Sequence, residues 1–250
     1  MSPTDLSGRV VAVTGASSGI GEATALAAAA AGASVSLAAR RLDRIQGIAE
    51  RINADGGRAV AIETDVTDEA SANAFVTNTR EVLGGLDVLV NNAGVMLLGA
   101  VTGANTDEWR QMIEVNCLGL LYCCHAALPV MGEGGGGHII NVASVAGRRA
   151  SLGSAVYNMT KYGVVGFSEG LRQEALHAGV RVTVVEPGWV ETELLDHNTN
   201  EFVQQSAAKL KEKVGKVLES IDIANAIIYI AGQPDHVNIS EVMVVPTRQS

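Results

Sequence analysis

The sequence is poor in aromatic residues, in cysteine and in charge, and each shortage narrows what the chain can be. Only 4% of its 250 residues are aromatic and 18% are charged. Cys117, Cys123 and Cys124 are odd in number and show no Cys-x-x-Cys spacing, so neither a disulfide framework nor a zinc site is expected. A reducing cytoplasm is therefore the expected location. The five histidines are scattered without ligand spacing, and no metal site is predicted.

Signals for export, for a membrane span and for nucleic-acid binding are also missing. Residues 1–5 carry neither a basic nor an apolar segment, so no signal peptide is expected. The longest uncharged stretches, 23–39 and 115–132, are diluted by small and polar residues, which favours helices of a soluble core. The formal net charge of −9 repels phosphate backbones. Neither nucleic acid nor a membrane is an expected partner.

The chain has instead two alternating types of aliphatic segment, and 47% of its residues are hydrophobic, enough for one domain over 1–250. Continuously apolar runs predict strands buried on both faces, at 9–13, 34–39, 58–63, 86–91, 138–143, 180–186 and 241–245. Helix-length segments lie between them, at 19–31, 42–54, 68–83, 106–131, 155–178 and 221–232. This order predicts an α/β fold, a doubly wound, Rossmann-type three-layer sandwich around a parallel sheet.

The segment 189–220 interrupts this rhythm between the sixth strand and the last helix. An insertion of this length at the carboxyl end of a strand predicts a lid over the substrate, with a plain surface excursion as the alternative. The lysine cluster at 209–216 and the pair Arg148–Arg149 could attract an acidic substrate. Solvent-facing charge is the more ordinary interpretation of both.

A glycine-rich run, Thr-Gly-Ala-Ser-Ser-Gly-Ile-Gly at 14–21, stands between the first strand and the first helix. Its three glycines would let the backbone turn tightly and bring N–H groups close to a pyrophosphate, and the helix N-terminus adds partial positive charge. A glycine turn without a ligand is the alternative. The predicted cofactor contacts from this run are Gly15, Ser17, Ser18, Gly19, Ile20 and Gly21.

The end of the second strand indicates which dinucleotide is bound. A site for NAD normally has a carboxylate there for the ribose 2′-hydroxyl, whereas this chain has Arg40 and Arg41. Guanidinium groups bind phosphate with several donors and keep their charge. We therefore predict NADP(H), with Arg40 as the main ligand of the 2′-phosphate and Arg41 as its helper. Two solvated arginines at the start of a helix are the alternative.

Three further strand ends are expected to line the cofactor. The third could meet the adenine, and small residues after the fourth let the chain pass close under the cofactor while amides fix backbone groups. A Pro-Gly pair after the sixth re-aims the backbone, so that a threonine could bind the nicotinamide carboxamide. The predicted contacts are Asp65, Val66, Asn92, Ala93, Gly94, Pro187, Gly188 and Thr192.

Three residue types needed for carbonyl chemistry fall at suitable positions. Tyr157 and Lys161 are four residues apart and share a helix face, and Ser144 lies at the carboxyl end of the fifth strand. Tyr157 can protonate the alkoxide left by hydride transfer, and the lysine charge lowers the pKa of the phenol. Ser144 would polarise the substrate oxygen, and Lys161 would also hold the nicotinamide ribose. Asn116 could anchor a water that links Lys161 to solvent; a capping or core amide is the alternative.

The substrate is expected between two apolar walls. One predicted wall is Trp189, Leu194 and Leu195, and the facing wall is Met96–Leu98. Such clusters also occur in ordinary cores, so core packing is the alternative.

Together these residues resemble the short-chain dehydrogenases/reductases over essentially the whole chain. The matching motifs are Thr-Gly-x-x-x-Gly-x-Gly at 14–21, Asn-Asn-Ala-Gly at 91–94, Asn116, Ser144, Tyr157-x-x-x-Lys161, and Pro187-Gly188 with Thr192. The resemblance implies a seven-stranded sheet, an Asn-Ser-Tyr-Lys tetrad and NAD(P)-dependent carbonyl/alcohol chemistry. It also implies a homodimer or homotetramer built through the helices around 106–131 and 154–178.

Within the family, the arginine pair and the run 91–99 resemble the NADP-preferring branch that holds clavulanic acid dehydrogenase and 3-hydroxy acid dehydrogenases. Two positions depart from the family pattern. Ser18 stands where many NADP-using members carry a basic residue, which leaves Arg40 to select the phosphate. The run 243–247 lacks the common glycine pair, which weakens the case for the usual C-terminal interface of a tetramer.

The chain is therefore expected to be an NADP(H)-dependent oxidoreductase that interconverts a small or medium carbonyl and its alcohol, with Tyr157 as general acid/base. A non-catalytic NADP-sensing regulator on the same scaffold is one alternative, and the intact Ser144, Tyr157 and Lys161 set argues against it. A Rossmann methyltransferase is another, disfavoured by the arginine pair. The substrate itself depends on loops, for which the fold gives no guidance.

Overall fold

The strands form a single parallel sheet in the computed structural model, which describes residues 4–195, 198, 204 and 214–249. Their bounds are β1 Val10–Thr14, β2 Ser34–Ala39, β3 Arg58–Glu63, β4 Val88–Asn91, β5 Gly137–Val142, β6 Val180–Pro187 and β7 Glu241–Val244. The order across the sheet is β3-β2-β1-β4-β5-β6-β7, and every neighbouring pair is parallel. The predicted doubly wound fold with seven strands is confirmed.

The helices occupy the predicted segments with small shifts at their ends. Their bounds are α1 Gly19–Ala30, α2 Leu42–Ala54, α3 Glu69–Leu83, α4 Thr106–Ile113, α5 Gly119–Glu133, α6 Ala155–Glu174 and α7 Ser220–Ala231. Asp68 fixes the start of α3, because its carboxylate accepts hydrogen bonds from the first-turn N–H groups of Ala70 and Ser71. Gly84 ends α3 with a left-handed φ of 92°.

Alternate residues of each strand supply two separate cores. In β1, Val11 and Val13 pack with α1, α2 and α7, whereas Ala12 packs on the other face with α3, α5 and α6. Fully burying a Val or Leu side chain stabilises the fold by about 1.5–3 kcal/mol, so both faces favour apolar residues. The continuously apolar inner strands follow from this three-layer arrangement. The prediction of burial on both faces is wrong for the edge strands β3 and β7, which have a neighbouring strand on one side only and contain no fully buried residue.

The helix predicted over 106–131 is divided by a π turn at Glu114–Leu118, which separates α4 from α5. A π turn inserts one extra residue into the helical ladder and often marks a functional site. Asn116 at its centre donates to the carbonyl of Val95 and to the hydroxyl of Thr160, and accepts from the N–H of Val95. These tertiary hydrogen bonds hold the widened turn, and apolar periodicity carries no sign of them.

The continuous helical stretch Thr106–Glu133 is 28 residues long with a mean hydropathy of 1.5, enough by length and composition to cross a membrane. Its apolar character has an explanation within the fold. Residues of α5 such as Leu120, Cys123 and Met131 are buried in the core shared with α3 and the sheet. The expectation of a core helix is met on this face, while Leu118 and Leu121 remain on the surface.

Candidate active site

A cleft of about 1340 Å³ opens at the carboxyl ends of the strands. It lies at the junction of β1 and β4, where the strand order reverses and where doubly wound sheets bind ligands. Of the predicted site residues, all but Gly21, Leu97 and Asn116 line this cleft. Gly21 is buried beneath the glycine loop, and Asn116 is buried behind Gly94 and Lys161. The structure thus brings the predicted residues together, and their roles remain predictions.

The backbone of the glycine loop is in direct contact with the backbone at the end of β4 and with the first turn of α1. Gly15 has a φ of +64°, and a Cβ there would lie 2.8 Å from the Cα of Ala93. A Cβ on Gly21 would lie 2.3 Å from the carbonyl oxygen of Gly15. Ser18 precedes α1 without a side-chain cap hydrogen bond, so the first-turn N–H groups are left for a ligand. This loop fits the phosphates of a dinucleotide.

The loop is fastened to the neighbouring strand end by a threonine and an amide. The hydroxyl of Thr14 accepts from the N–H groups of Asn92 and Ala93 at 3.0 and 3.1 Å. The Asn92 amide donates to the carbonyls of Thr14 and Gly15 at 3.1 and 3.3 Å. The predicted use of amides to fix backbone groups is seen here. The sequence analysis did not predict this structural role of Thr14, although Thr14 is the first residue of the glycine-rich motif at 14–21.

The two arginines after β2 have different surroundings. Arg40 is exposed, lines the cleft and makes no side-chain hydrogen bond or ion pair with any residue that the structure describes. Arg41 donates from Nε and Nη2 to the hydroxyl of Ser17, at 3.1 and 2.9 Å, and from Nη2 to that of Ser18 at 2.8 Å. Arg41 therefore brings a guanidinium to the glycine loop at Ser18, where the family often has a basic residue.

Glu193 closes an ion-pair bridge that sequence reasoning missed. Its carboxylate lies 3.0 Å from Nη1 of Arg41 and 2.9 Å from Nη1 of Arg44. Hydrogen bonds from the guanidinium groups of Arg44, which has the larger effect, and Arg41 lower the pKa of Glu193 to about 2, so the carboxylate is charged at neutral pH. No local sequence pattern could predict this ion-pair bridge, because Glu193 and Arg41 are 152 residues apart in the chain.

Ser144, Tyr157 and Lys161 converge at the inner end of the cleft. Tyr157 and Lys161 lie on the first turns of α6 and are almost fully buried. The ammonium group of Lys161 lies 5.9 Å from the centre of the Tyr157 ring and donates to the carbonyl of Val142 at 3.1 Å. The Ser144 hydroxyl lies close enough to Tyr157 to influence the pKa of the phenol. The predicted trio therefore forms one constellation.

Burial dominates the acid–base properties of this constellation. It raises the pKa of Tyr157 to about 12, with the neighbouring Ser144 hydroxyl acting in the opposite direction. Burial also lowers the pKa of Lys161 to about 8. The prediction that the lysine lowers the pKa of the phenol differs from this result, because desolvation of the phenolate dominates in this buried site. At neutral pH Tyr157 therefore carries its proton and can donate it.

Asn116 lies behind Lys161 and uses its amide as a structural clamp. Both amide atoms bind the backbone of Val95, and the nitrogen also donates to Thr160. A Cβ on Gly94 would lie 3.3 Å from Oδ1 of Asn116 and 3.7 Å from Nζ of Lys161. The core-amide alternative therefore describes what the side chain does. A water relay at Asn116 remains a prediction.

The outer part of the cleft is lined by both predicted apolar walls: Met96 and Leu98 on one side, Trp189, Leu194 and Leu195 on the other. Asn198, which sequence reasoning missed, joins the two walls. Its Oδ1 accepts from the N–H of Leu98 at 2.7 Å, and its Nδ2 donates to the carbonyls of Met96 and Leu195 at 2.9 and 3.2 Å. Half of the predicted lid, at 196–197, 199–203 and 205–213, lies outside the described residues, as does most of the lysine cluster.

Arg148 is engaged by carboxylates of the fold. Its Nε lies 2.6 Å from Oε1 of Glu186, which is fully buried, and its Nη2 pairs with Glu241. Burial raises the pKa of Glu186, and the hydrogen bond from Arg148 opposes this rise. Neither Arg148 nor Arg149 lines the cleft. The hypothesis that this arginine pair attracts an acidic substrate therefore finds no support in the geometry.

The fold and this cleft define a Rossmann-type oxidoreductase that uses a nicotinamide cofactor. The family model for the short chain dehydrogenases matches residues 9–202. The chain belongs to the short-chain dehydrogenase/reductase family.

Three comparisons show the range of its relatives. An uncharacterised oxidoreductase of Staphylococcus saprophyticus is 42% identical over 97% of both chains. Glycine betaine reductase ATRR of Emericella nidulans is 40% identical over 96% of this chain, which spans only 19% of that protein's length. A solved structure, the closed form of serine dehydrogenase complexed with NADP+, is 32% identical over 96% of both chains with a TM-score of 0.88.

Proposed function

We propose that the protein is an NADP(H)-dependent oxidoreductase that interconverts a small or medium carbonyl compound and its alcohol. One observation carries the proposal. The side chains of Ser144, Tyr157 and Lys161 converge at the inner end of the cleft, and Arg40, which has no side-chain partner among the described residues, lines the same cleft.

In this mechanism the nicotinamide, when bound, supplies or accepts the hydride. Ser144 donates a hydrogen bond to the substrate oxygen and stabilises the negative charge that develops on it. Tyr157 gives its proton to that oxygen in reduction and takes it back in oxidation. Lys161, whose pKa is lowered to about 8, is still mostly protonated at neutral pH and donates towards the cofactor ribose. Asn116 holds the chain beside Lys161 through Val95.

The preference for NADP(H) rests on charge at the β2 end of the cleft. The donors of Arg40 have no partner among the described residues, and Arg41 adds a second guanidinium against the hydroxyls of Ser17 and Ser18. Guanidinium and hydroxyl donors suit a phosphate monoester. The serine dehydrogenase of the same fold, solved with NADP+, is consistent with this preference.

The walls of the outer cleft favour an uncharged substrate. Among the described residues, Met96, Leu98, Trp189, Leu194 and Leu195 line this part of the cleft. Leu152, also a lining residue, is 94% exposed at the edge. A charged substrate group would lose hydration against such walls without gaining a partner there. An aldehyde or ketone with an apolar substituent fits them best.

The assembly and the location extend the proposal. Leu118 and Leu121 on the α4–α5 stretch, and Met159 and Tyr162 on α6, are 37–54% exposed. Covering these apolar side chains would stabilise a homodimer or homotetramer formed through these helices. All three cysteines are free thiols, which suits a reducing cytoplasm.

A panel of aldehydes, ketones and hydroxy acids, assayed with both nicotinamide cofactors, tests the function. Loss of NADPH absorbance with a carbonyl is expected. In Tyr157→Phe, kcat should fall by roughly a thousandfold while NADPH binding persists, because only the proton donor is removed. Tyr229→Phe, an exposed phenol on α7 away from the cleft, is the matched control and should keep full activity.

Two outcomes would contradict the proposal. Turnover at the wild-type rate in Tyr157→Phe would remove the tyrosine from the reaction. NADPH binding without turnover of any carbonyl or alcohol would favour the regulatory alternative.

A further inference from the structure

The carboxylate of Glu193 stands among the cationic and hydroxyl groups assigned above to the cofactor phosphate. Arg41 contacts Glu193 with Nη1 and the hydroxyls of Ser17 and Ser18 with its other two nitrogens. Arg44 holds the second carboxylate oxygen at 2.9 Å. Glu193 itself lines the cleft, as do Arg41 and both serines. One anion therefore already occupies the cationic end of the cleft.

We propose that Glu193 is a specificity-determining residue, a built-in anion that competes with the 2′-phosphate of NADP(H) for Arg41 and must be displaced when that cofactor binds. This inference rests on the proposed NADP(H) site. Its consequence is selective, because NAD(H) lacks the 2′-phosphate and leaves the ion pairs of Glu193 with Arg41 and Arg44 in place.

The chemistry of the two anions supports direct competition. A carboxylate and a phosphate monoester both accept paired hydrogen bonds from guanidinium groups. Two anions held by the same guanidinium repel each other, so the phosphate binds best when Glu193 has moved away. The phosphate carries the larger charge, about −1.5 to −2 at neutral pH, and is the stronger competitor.

The exposure of the ion pairs makes the displacement feasible. The side chains of Arg41, Arg44 and Glu193 are 42–45% exposed. Ion pairs at such positions contribute little to stability, since water screens them. Glu193 therefore lowers the affinity for NADP(H) modestly and does not block the site.

The position of Glu193 in the chain separates competition from a second possibility. Its neighbour Thr192 lies against the start of α1, where a Cβ on Gly19 would come within 3.2 Å of the threonine Cγ2. The segment could therefore act as a strap that retains any dinucleotide. A strap would favour binding of both cofactors, whereas a competitor opposes only the phosphorylated one.

The test uses two fragments, 2′,5′-ADP and 5′-ADP, titrated calorimetrically into the full chain at low ionic strength. In Glu193→Gln the affinity for 2′,5′-ADP should rise roughly three- to fivefold, in keeping with an exposed ion pair. Glu193→Lys should raise it further, because the change adds a positive charge. The affinity for 5′-ADP should stay unchanged in both variants.

Matched substitutions at Glu50, an exposed residue on α2, control for net charge: Glu50→Gln and Glu50→Lys should alter neither affinity appreciably. Thermal unfolding should show both Glu193 variants folded, since the side chain is exposed.

Several results would overturn the inference, and one of them would also overturn the proposed preference for NADP(H). Weaker binding of both fragments in Glu193→Gln would identify a strap. Unchanged 2′,5′-ADP affinity in both Glu193 variants, with a wild type that prefers 2′,5′-ADP, would refute the competition alone. A wild type without that preference would refute the proposed NADP(H) selectivity itself.

Discussion

The two parts of the cleft are held in place by different means. The floor of the cleft lies on strand ends or buried helix turns, and backbone contacts leave it little conformational freedom. Its residues here are Gly15, Gly21, Asn92, Tyr157 and Lys161. The rim lies on loops and on the short 3-10 turn Glu193–Leu195; its residues here are Met96, Leu98, Leu152, Leu195 and Asn198. A few side-chain hydrogen bonds, mainly those of Asn198, hold the rim together.

The difference separates what such a scaffold keeps from what it can vary. The floor is formed by the sheet and both cores, so changing it disturbs the elements that make the fold. The rim can change without altering any strand, and under the proposed function it would meet the part of the substrate that distinguishes one carbonyl from another. Substitutions in the floor should therefore impair cofactor binding or chemistry, and those in the rim should alter KM.

Gly21→Ala should break the floor most severely. The added Cβ would lie 2.3 Å from the carbonyl oxygen of Gly15 and 2.6 Å from the Asn92 amide, so the glycine loop must shift. A displacement of this size should weaken NADPH binding by about a hundredfold, measured by fluorescence titration. In the control Gly166→Ala, the new methyl group meets nothing within 4 Å on α6. That change should leave binding intact and stabilise the protein by about 0.5–1 kcal/mol. Equal NADPH affinities in the two variants would contradict this view of the floor.

Arg40→Asp should reverse the cofactor preference. It removes the guanidinium without a partner among the described residues and supplies the carboxylate that suits a ribose 2′-hydroxyl. The ratio of kcat/KM for NADPH to that for NADH should fall roughly thirtyfold, the size of one or two charge-assisted hydrogen bonds. Arg51→Asp, at the far end of α2, makes the same charge change away from the cleft. An unchanged ratio in Arg40→Asp would assign the selection to other residues.

Acid should weaken the sheet that carries the floor. His138 in β5 is buried, and its Nε2 lies 2.7 Å from the hydroxyl of Thr183 in β6. Burial, aided by the charges of Arg181 and Arg9, lowers the pKa of His138 to about 3. The unfolded chain therefore takes up a proton first as the pH falls below the ordinary value of about 6.5, and stability is lost between pH 6.5 and 3.

The loss between pH 6.5 and 5 should be about 2 kcal/mol, measured as the free energy of unfolding in urea. This window lies above the ordinary pKa range of carboxyl groups, so few other side chains contribute there. His138→Gln should flatten the slope in the same window, whatever its effect on absolute stability. An equally steep slope in that variant would exclude His138 as the cause.

The floor could be predicted from the sequence because its causes are local. The glycines at 15, 19 and 21 indicate the backbone turn, and the spacing of Tyr157 and Lys161 indicates a shared helix face. Continuous apolar runs indicate strands that are buried on both sides of a sheet. Each signal lies within a few residues and reflects a constraint on the backbone or on one helix. The resemblance to a family then connected these pieces into one site.

The rim and the ion-pair bridge could not be predicted, because their causes join distant parts of the chain. The amide of Asn198 binds Leu98, 100 residues away, and Glu193 reaches Arg41 across 152 residues. The π turn at Glu114–Leu118 likewise depends on Val95 and Thr160. A single asparagine or glutamate in a loop has no periodicity that would reveal such a partner.

Asn198→Ala should have the smallest effect and should be confined to the rim. Losing the hydrogen bonds to Met96 and Leu98 separates the two apolar walls without touching the floor. KM for the carbonyl should rise about five- to tenfold, the value of one or two hydrogen bonds, while kcat and NADPH affinity change little. Asn53→Ala is the matched control, since Asn53 makes the same paired hydrogen bonds to the backbone of Ala59, away from the cleft. Asn53→Ala should lower the stability of the fold by a comparable amount and leave KM unchanged. A rise in KM with both variants would contradict the prediction, because it would show that a general loosening of the structure governs substrate binding, and not the hydrogen bonds that join the two walls.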